Sequence, residues 1–201
     1  MATSISYENE FEKAITLTQM DNMENYIKVF SVDGLVKRKE EHKKGELIYL
    51  IYYKDTNESI ANILSENNSI RTIEIRERQV VGSYVQVNES EYVDGVLSFR
   101  GISVFDSNGN EIYTSPIDVT TNQHDYEETN KYFYDDNNKK LYIFWYGTNG
   151  QFSNMMSYNP NHSVYLNEFK QEFLLEDLPG LVDFDWASMG YYHSANPIIP
   201  T

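Results

Sequence analysis

From Asn25 onward apolar and polar residues alternate with a period of two, the spacing of strands that bury one face. Asp33-Gly34, Asp94-Gly95, Asn108-Gly109 and Asn149-Gly150 punctuate the pattern as hairpin tips. The alternation predicts strands near 25–32, 35–40, 46–53, 69–78, 80–88, 96–105, 111–115, 131–135 and 140–147, with a short helix at 58–66. In the strand at 96–105, Leu97 and Phe99 share a face but Ile102 and Val104 fall out of phase, and a bulge at Gly101 would restore them. Within 69–78, Ile73 and Ile75 take one side and Thr72, Glu74, Arg76 and Arg78 the other, so that strand turns one face to water.

Two strands, 47–53 and 141–146, are apolar on both faces and are expected to lie under a second layer. The expected cover is a C-terminal helix from Val164 to Glu176, in which Leu166, Phe169 and Phe173 follow helical spacing and Pro179-Gly180 marks the stop. At the other end Ser6 is a candidate cap for a helix reaching about Thr18, with Tyr7, Phe11, Ala14 and Ile15 on one face. The fold class read from these patterns is α+β and mainly β: a single domain over residues 1–201. An antiparallel, meander-like sheet carries a short N-terminal helix and a packed C-terminal helix.

Composition narrows the functions more than the fold. The chain of 201 residues has 31 Asp and Glu against 16 Lys and Arg, a formal net charge of -15, and residues 81–201 hold 17 of the acidic groups and 5 of the basic ones. Such a field repels phosphate backbones and anionic lipid and attracts basic proteins, so neither nucleic acid nor membrane is an expected partner. The one basic cluster, Lys37-Arg38-Lys39 through Lys43-Lys44, is interrupted by Glu40 and Glu41 and reads as a solvated hairpin. Cysteine is absent, which removes disulfides, thiolate nucleophiles and Cys-based metal sites. The opening residues combine no basic segment with an apolar one, so the expected location is cytoplasmic.

Catalytic motifs are sparse: there is no phosphate-binding Gly-x-x-x-x-Gly-Lys, no Gly-x-Gly-x-x-Gly and no His-Glu-x-x-His. His124-Asp125 with Glu127 and Glu128 is the nearest approach to an acid/base or metal cluster, in a stretch composed like a surface loop. Asp183-Phe184-Asp185 offers two carboxylates on one side if extended, and the tail Gly190 to Pro197 offers His193 among tyrosines. The tail also reads as an extended strap packing Tyr and Ile onto the core. The aromatic-Asp-x-Asn-x-x-x-aliphatic-Tyr pattern at 105–113 and 134–142 is read as shared turn chemistry rather than duplication.

These features favour an acidic binding or inhibitory protein that docks on a basic protein such as a toxin or nuclease, immunity-protein-like or phage anti-defence-like by analogy of charge. The expected contacts are Asp125, Glu127 and Glu128 together with Glu176, Asp177, Asp183 and Asp185. No catalytic residue, metal or cofactor is expected. The alternatives are a metal- or carboxylate-dependent hydrolase using His124, Asp125, Glu127, Glu128, Asp183 and Asp185, and a carbohydrate-binding or structural β-module built on the 17 tyrosines and on Trp145 and Trp186.

Overall fold

The computed structural model describes residues 2–159, 162, 171–181 and 183–200. It divides into two compact units: unit 1 comprises Met1–Arg78 and Asn88–Arg100, and unit 2 comprises Gln79–Val87 and Gly101–Thr201.

Unit 1 begins with β1 (Thr3–Glu8), β2 (Ala14–Ile15) and α1 (Leu17–Met20), followed by β3 (Asn25–Val32), β4 (Leu35–Lys43), β5 (Glu46–Lys54) and α2 (Ile60–Glu66). It is completed by residues 72–78 of β6 (Thr72–Val81), 88–93 of β7 (Tyr84–Val93) and 96–100 of β8 (Val96–Phe105). The hydrogen-bonded order is β2-β1-β3-β4-β5-β6-β7-β8. β3, β4 and β5 form consecutive hairpins, whereas β5 and β6 run parallel, with α2 in the intervening crossover. Helix α2 presses Ile63 onto Leu50, Ile73 and Ile75, all buried. The side of β6 that carries Ile73 and Ile75 is therefore the covered one, as their alternation requires.

Two-residue turns with positive φ close the hairpins. Asp33 and Gly34 have φ of 50° and 82°, and Asp94 and Gly95 of 51° and 76°. Lys44-Gly45 does the same with 53° and 81°, a tip hidden in the sequence because lysine is not a usual turn residue. Left-handed backbone at both positions matches the twist of the flanking strands.

The N-terminal helix expected from Ser6 to Thr18 is not formed: Thr3 to Glu8 is a strand paired with β3, from Thr3 opposite Val32 to Glu8 opposite Ile27. Asn9 ends that strand by accepting backbone N–H bonds from Phe11 and Lys13 through its side chain, and Glu12 takes a left-handed φ of 56°. Phe11, on the supposed buried face, is 72% exposed. A four-residue helix, α1, follows instead, closed by a reciprocal capping box between Thr16 and Gln19.

Unit 2 takes residues 79–81 of β6, 84–87 of β7 and 101–105 of β8, then β9 (Glu111–Pro116), β10 (Asn130–Tyr134), β11 (Lys140–Tyr146), β12 (Phe152–Ser157) and β13 (Gln171–Leu174). The order follows the chain from β6 to β13. The β8–β9 ladder runs in register from Gly101 to Val104 and shifts between Val104 and Phe105, so the bulge expected at Gly101 is not there in that ladder. The change of apolar phase has another cause. Arg100 is the last residue of β8 in unit 1 and Gly101 the first in unit 2, where Gly101, Ile102, Ser103 and Val104 are all buried. Ile102 and Val104 answer to a different core, shared with Ile112 and Tyr113.

The C-terminal helix expected from Val164 to Glu176 is corrected only over its described part, 171–176. Residues 163–170, Phe169 among them, lie outside the described residues, and Gln171–Leu174 is a strand that sets Phe173 opposite Met155 of β12. β11 buries Tyr142, Phe144 and Tyr146. Their cover is an irregular segment that brings Leu178, Leu181, Phe184, Trp186, Met189, Tyr192 and Ala195 onto them. The tail thus acts as the strap that its tyrosines and isoleucines implied, with Ile198 and Ile199 packed on the neighbouring cluster.

Candidate functional site

Three aspartates of unit 2 are committed to turns. Asp106 accepts the backbone N–H of Asn108 and Asn110 at 2.9 and 2.8 Å, and Asp135 accepts those of Asn137 and Lys139 at the same distances. The repeated sequence pattern is one turn used twice. Asp118 accepts from the N–H groups of Thr120 and Thr121 and from the Thr121 hydroxyl, bonds that hold its carboxyl below the usual carboxylate range.

The seven carboxylates expected to meet a partner lie elsewhere, and all are exposed. Asp125, Glu127 and Glu128 occupy the turn between β9 and β10, where Asp125 accepts the Glu127 N–H at 3.2 Å. Tyr126, inside that turn, points inward and packs on the cluster of Tyr142, Phe144 and Tyr146. Phe184 and Trp186 pack on the same cluster, so the second carboxylate group, Asp183 and Asp185, alternates with inward aromatic residues. Glu176 and Asp177 precede Leu178, which is fully buried there, and Asp177 accepts the Leu174 N–H at 2.9 Å. Each acidic group is therefore the outward half of a segment whose apolar half is anchored in one core. Asp183 has a φ of 57°, so Asp183-Phe184-Asp185 is not the extended pair of a cation site.

Two cations of unit 2, Lys131 and Lys140, are engaged otherwise. Unit 2 has 14 acidic and 4 basic residues. Lys140 lies over the Tyr132 ring at 4.1 Å. Lys131 is fully buried and donates to the carbonyl oxygens of Tyr191, Ser194 and Pro197 at 2.7, 2.9 and 2.8 Å. Among the described residues no lysine of unit 2 is ion-paired with a carboxylate.

Residues assigned to the hydrolase alternative do not converge. His124 is half-buried, its Nδ1 is 3.2 Å from the Ser115 Oγ, and burial lowers its pKa. Among the described residues no group of three or more His, Asp or Glu is placed to hold a metal ion. His193 faces the Trp186 carbonyl with its Nε2 at 2.8 Å and packs on the Trp186 ring, an internal role.

Two features escaped the pattern reading. Ser157 and His162 form a buried pair, Oγ to Nδ1 3.0 Å, in which Ser157 also accepts the Asn159 N–H. Burial of both closes them to a substrate, and the hydroxyl serves the turn. Lys131 was the larger omission. Its signal is positional: it shares the core-facing phase of β10 with Phe133 and stands opposite Phe144, where a lysine has to be satisfied internally.

No helix among the described residues is long and apolar enough to cross a membrane. No protein-family model, no curated protein and no solved structure matches this chain.

Proposed function

We propose that unit 2 is an acidic docking surface for a basic protein, and that the chain acts by binding, as an inhibitor of that protein. The observation that carries this reading is the exposure of Asp125, Glu127, Glu128, Glu176, Asp177, Asp183 and Asp185 on segments anchored in one core, with none of the described lysines of unit 2 paired to any of them. Fixed carboxylates of one sign accelerate encounter with a cationic cleft and occupy the place where a phosphate would sit. Their anchoring by Tyr126, Leu178, Phe184 and Trp186 limits the entropy lost when a partner is bound.

The test is the association rate with the product of an adjoining gene, at low and high salt. The wild type is compared with Asp125→Asn/Glu127→Gln/Glu128→Gln and with Glu176→Gln/Asp177→Asn/Asp183→Asn/Asp185→Asn. Asparagine preserves the Asp177 acceptor and tolerates the left-handed backbone at position 183. Slower association and a flatter salt dependence in the variants support the reading. Rates that ignore salt and are equal in all three proteins remove it.

A further inference from the structure

The acidic turn between β9 and β10 is gripped from the C-terminal segment at two points. Asn196 donates from Nδ2 to the Tyr126 hydroxyl at 2.8 Å, inside the turn. Just beyond it, the Lys131 ammonium meets the carbonyls of Tyr191, Ser194 and Pro197, three residues apart, so that each of its N–H groups has one acceptor. The Tyr191 ring lies 3.7 Å from the same nitrogen. The segment is itself tied down: Ala195 donates to the Gly150 carbonyl at 2.8 Å, and the Tyr126 ring lies so close to Gly150 that a Cβ there would meet it at 3.2 Å.

We propose that residues 191–197 are a positioning clamp for the acidic turn 125–128, with Lys131 as the pin, so that Asp125, Glu127 and Glu128 hold one geometry only while the C-terminal segment is seated. A lysine that merely filled the core would need no such arrangement, since its stem could be replaced by an apolar side chain of similar length. What Lys131 adds is three directed bonds to a segment remote in sequence, placed where β10 leaves the turn. The consequence for binding rests on the docking reading above, whereas the clamp itself does not.

The test is amide hydrogen exchange on the full chain, comparing wild type with Lys131→Met, which keeps the stem and loses the donors, and with Asn196→Ala, which leaves the core untouched. The informative amides are Asn122, Asp125 and Thr129, which donate to Asp118, Pro116 and Tyr126. The clamp predicts exchange faster on the order of ten-fold at these amides in Lys131→Met, a smaller rise in Asn196→Ala, and no change in β3 to β5. Faster exchange at Ala195 with Asp125 and Thr129 unchanged overturns it. So does a uniform rise across unit 2 in Lys131→Met with Asn196→Ala silent, because that pattern is loss of core packing. If the turn loosens but association with the gene-neighbour protein is unaffected, the clamp stands and the docking reading falls.

Discussion

The two units of this chain use charge in opposite ways. Unit 1 has 17 acidic and 12 basic residues and pairs many of them. Lys37 meets Asp55 and Glu58, Arg38 meets Glu40, Lys39 meets Glu8 and Glu12, Lys54 meets Glu77, and Arg76 meets Glu74 and Glu89. Within the basic run that a sequence scan would offer to nucleic acid, Lys37 and Lys39 are thus held by carboxylates from other segments and Arg38 by Glu40 of its own strand. Glu41 differs: half-buried, its carboxyl is pushed up by its own burial and then by Glu74 and Glu12. Unit 2 has few cations, and Lys131, the one buried among the described residues, is caged by backbone carbonyls. Net charge alone cannot reveal this division, because pairing depends on which strands become neighbours.

The largest effects should come from the two cores. Phe144→Ala in unit 2 is expected to cost about 3–5 kcal/mol and Leu50→Ala in unit 1 about 2–5 kcal/mol, both side chains being fully buried. Trp145 and Trp186 both belong to unit 2, so tryptophan fluorescence in a urea titration follows that unit. If Leu50→Ala lowers the fluorescence midpoint as far as Phe144→Ala does, the units unfold together and the contrast between them is one of surface only.

A second test uses two lysines whose shifts oppose each other. Burial pushes Lys131 down to about 7 from an ordinary 10.5. Between those values the folded chain binds fewer protons than the unfolded chain, so stability gains on the order of a few kcal/mol as pH rises through the window. Tyr113, Tyr146 and Tyr191 line the ammonium, and burial raises all three, so they stay neutral there. The unfolding midpoint of wild type, minus that of Lys131→Met, should therefore increase from about pH 7 toward pH 10. A flat difference would mean that the caged ammonium keeps its proton. Lys39 behaves in the opposite sense: Glu8 and Glu12 outweigh its desolvation and raise its pKa. Its contribution is complete below the ordinary value and is lost only as pH climbs through the raised one.

Lys39→Met should accordingly cost about 1–2 kcal/mol at neutral pH, discounted because Glu12 is mostly exposed. Glu127→Gln/Glu128→Gln in unit 2 should change stability by less than about 0.5 kcal/mol. A loss in the second variant as large as in the first, read from urea midpoints, would show that the unit 2 carboxylates also serve the fold.

What was legible in the sequence follows the same physics. Strands closed by tight turns, such as Asn25–Val32, are specified by alternation and by Asp-Gly, both local signals. The N-terminal segment was misread because a short apolar set, Tyr7, Phe11, Ala14 and Ile15, fits a helical period, while pairing of β1 with β3 decides the outcome. Exposure of the acidic residues was readable from composition. That they lie on segments anchored in one core was not, because Tyr126, Phe184 and Trp186 meet only in space. Lys131 was missed for a related reason: its phase in β10 points to the core, but what satisfies it there lies some sixty residues away in the chain.

Two tyrosine hydroxyls carry the last comparison, with effects of about 1 kcal/mol or less. In unit 1 the Tyr49 hydroxyl donates to Glu74 at 2.6 Å, with Glu91 at 3.3 Å. In unit 2 the Tyr113 hydroxyl is buried beside Ser115 and Thr129 without meeting hydrogen-bond geometry. Removing a hydroxyl that pairs with a carboxylate strands part of that carboxylate's solvation, so Tyr49→Phe should destabilise by about 1 kcal/mol. Removing an unpartnered buried hydroxyl relieves a desolvation penalty, so Tyr113→Phe should be neutral or stabilising by about 0.5 kcal/mol. Urea midpoints of the two variants, measured side by side, give the sign. If Tyr113→Phe destabilises as much as Tyr49→Phe, the Tyr113 hydroxyl is satisfied in solution, and unit 2 handles its buried polar groups no differently from unit 1.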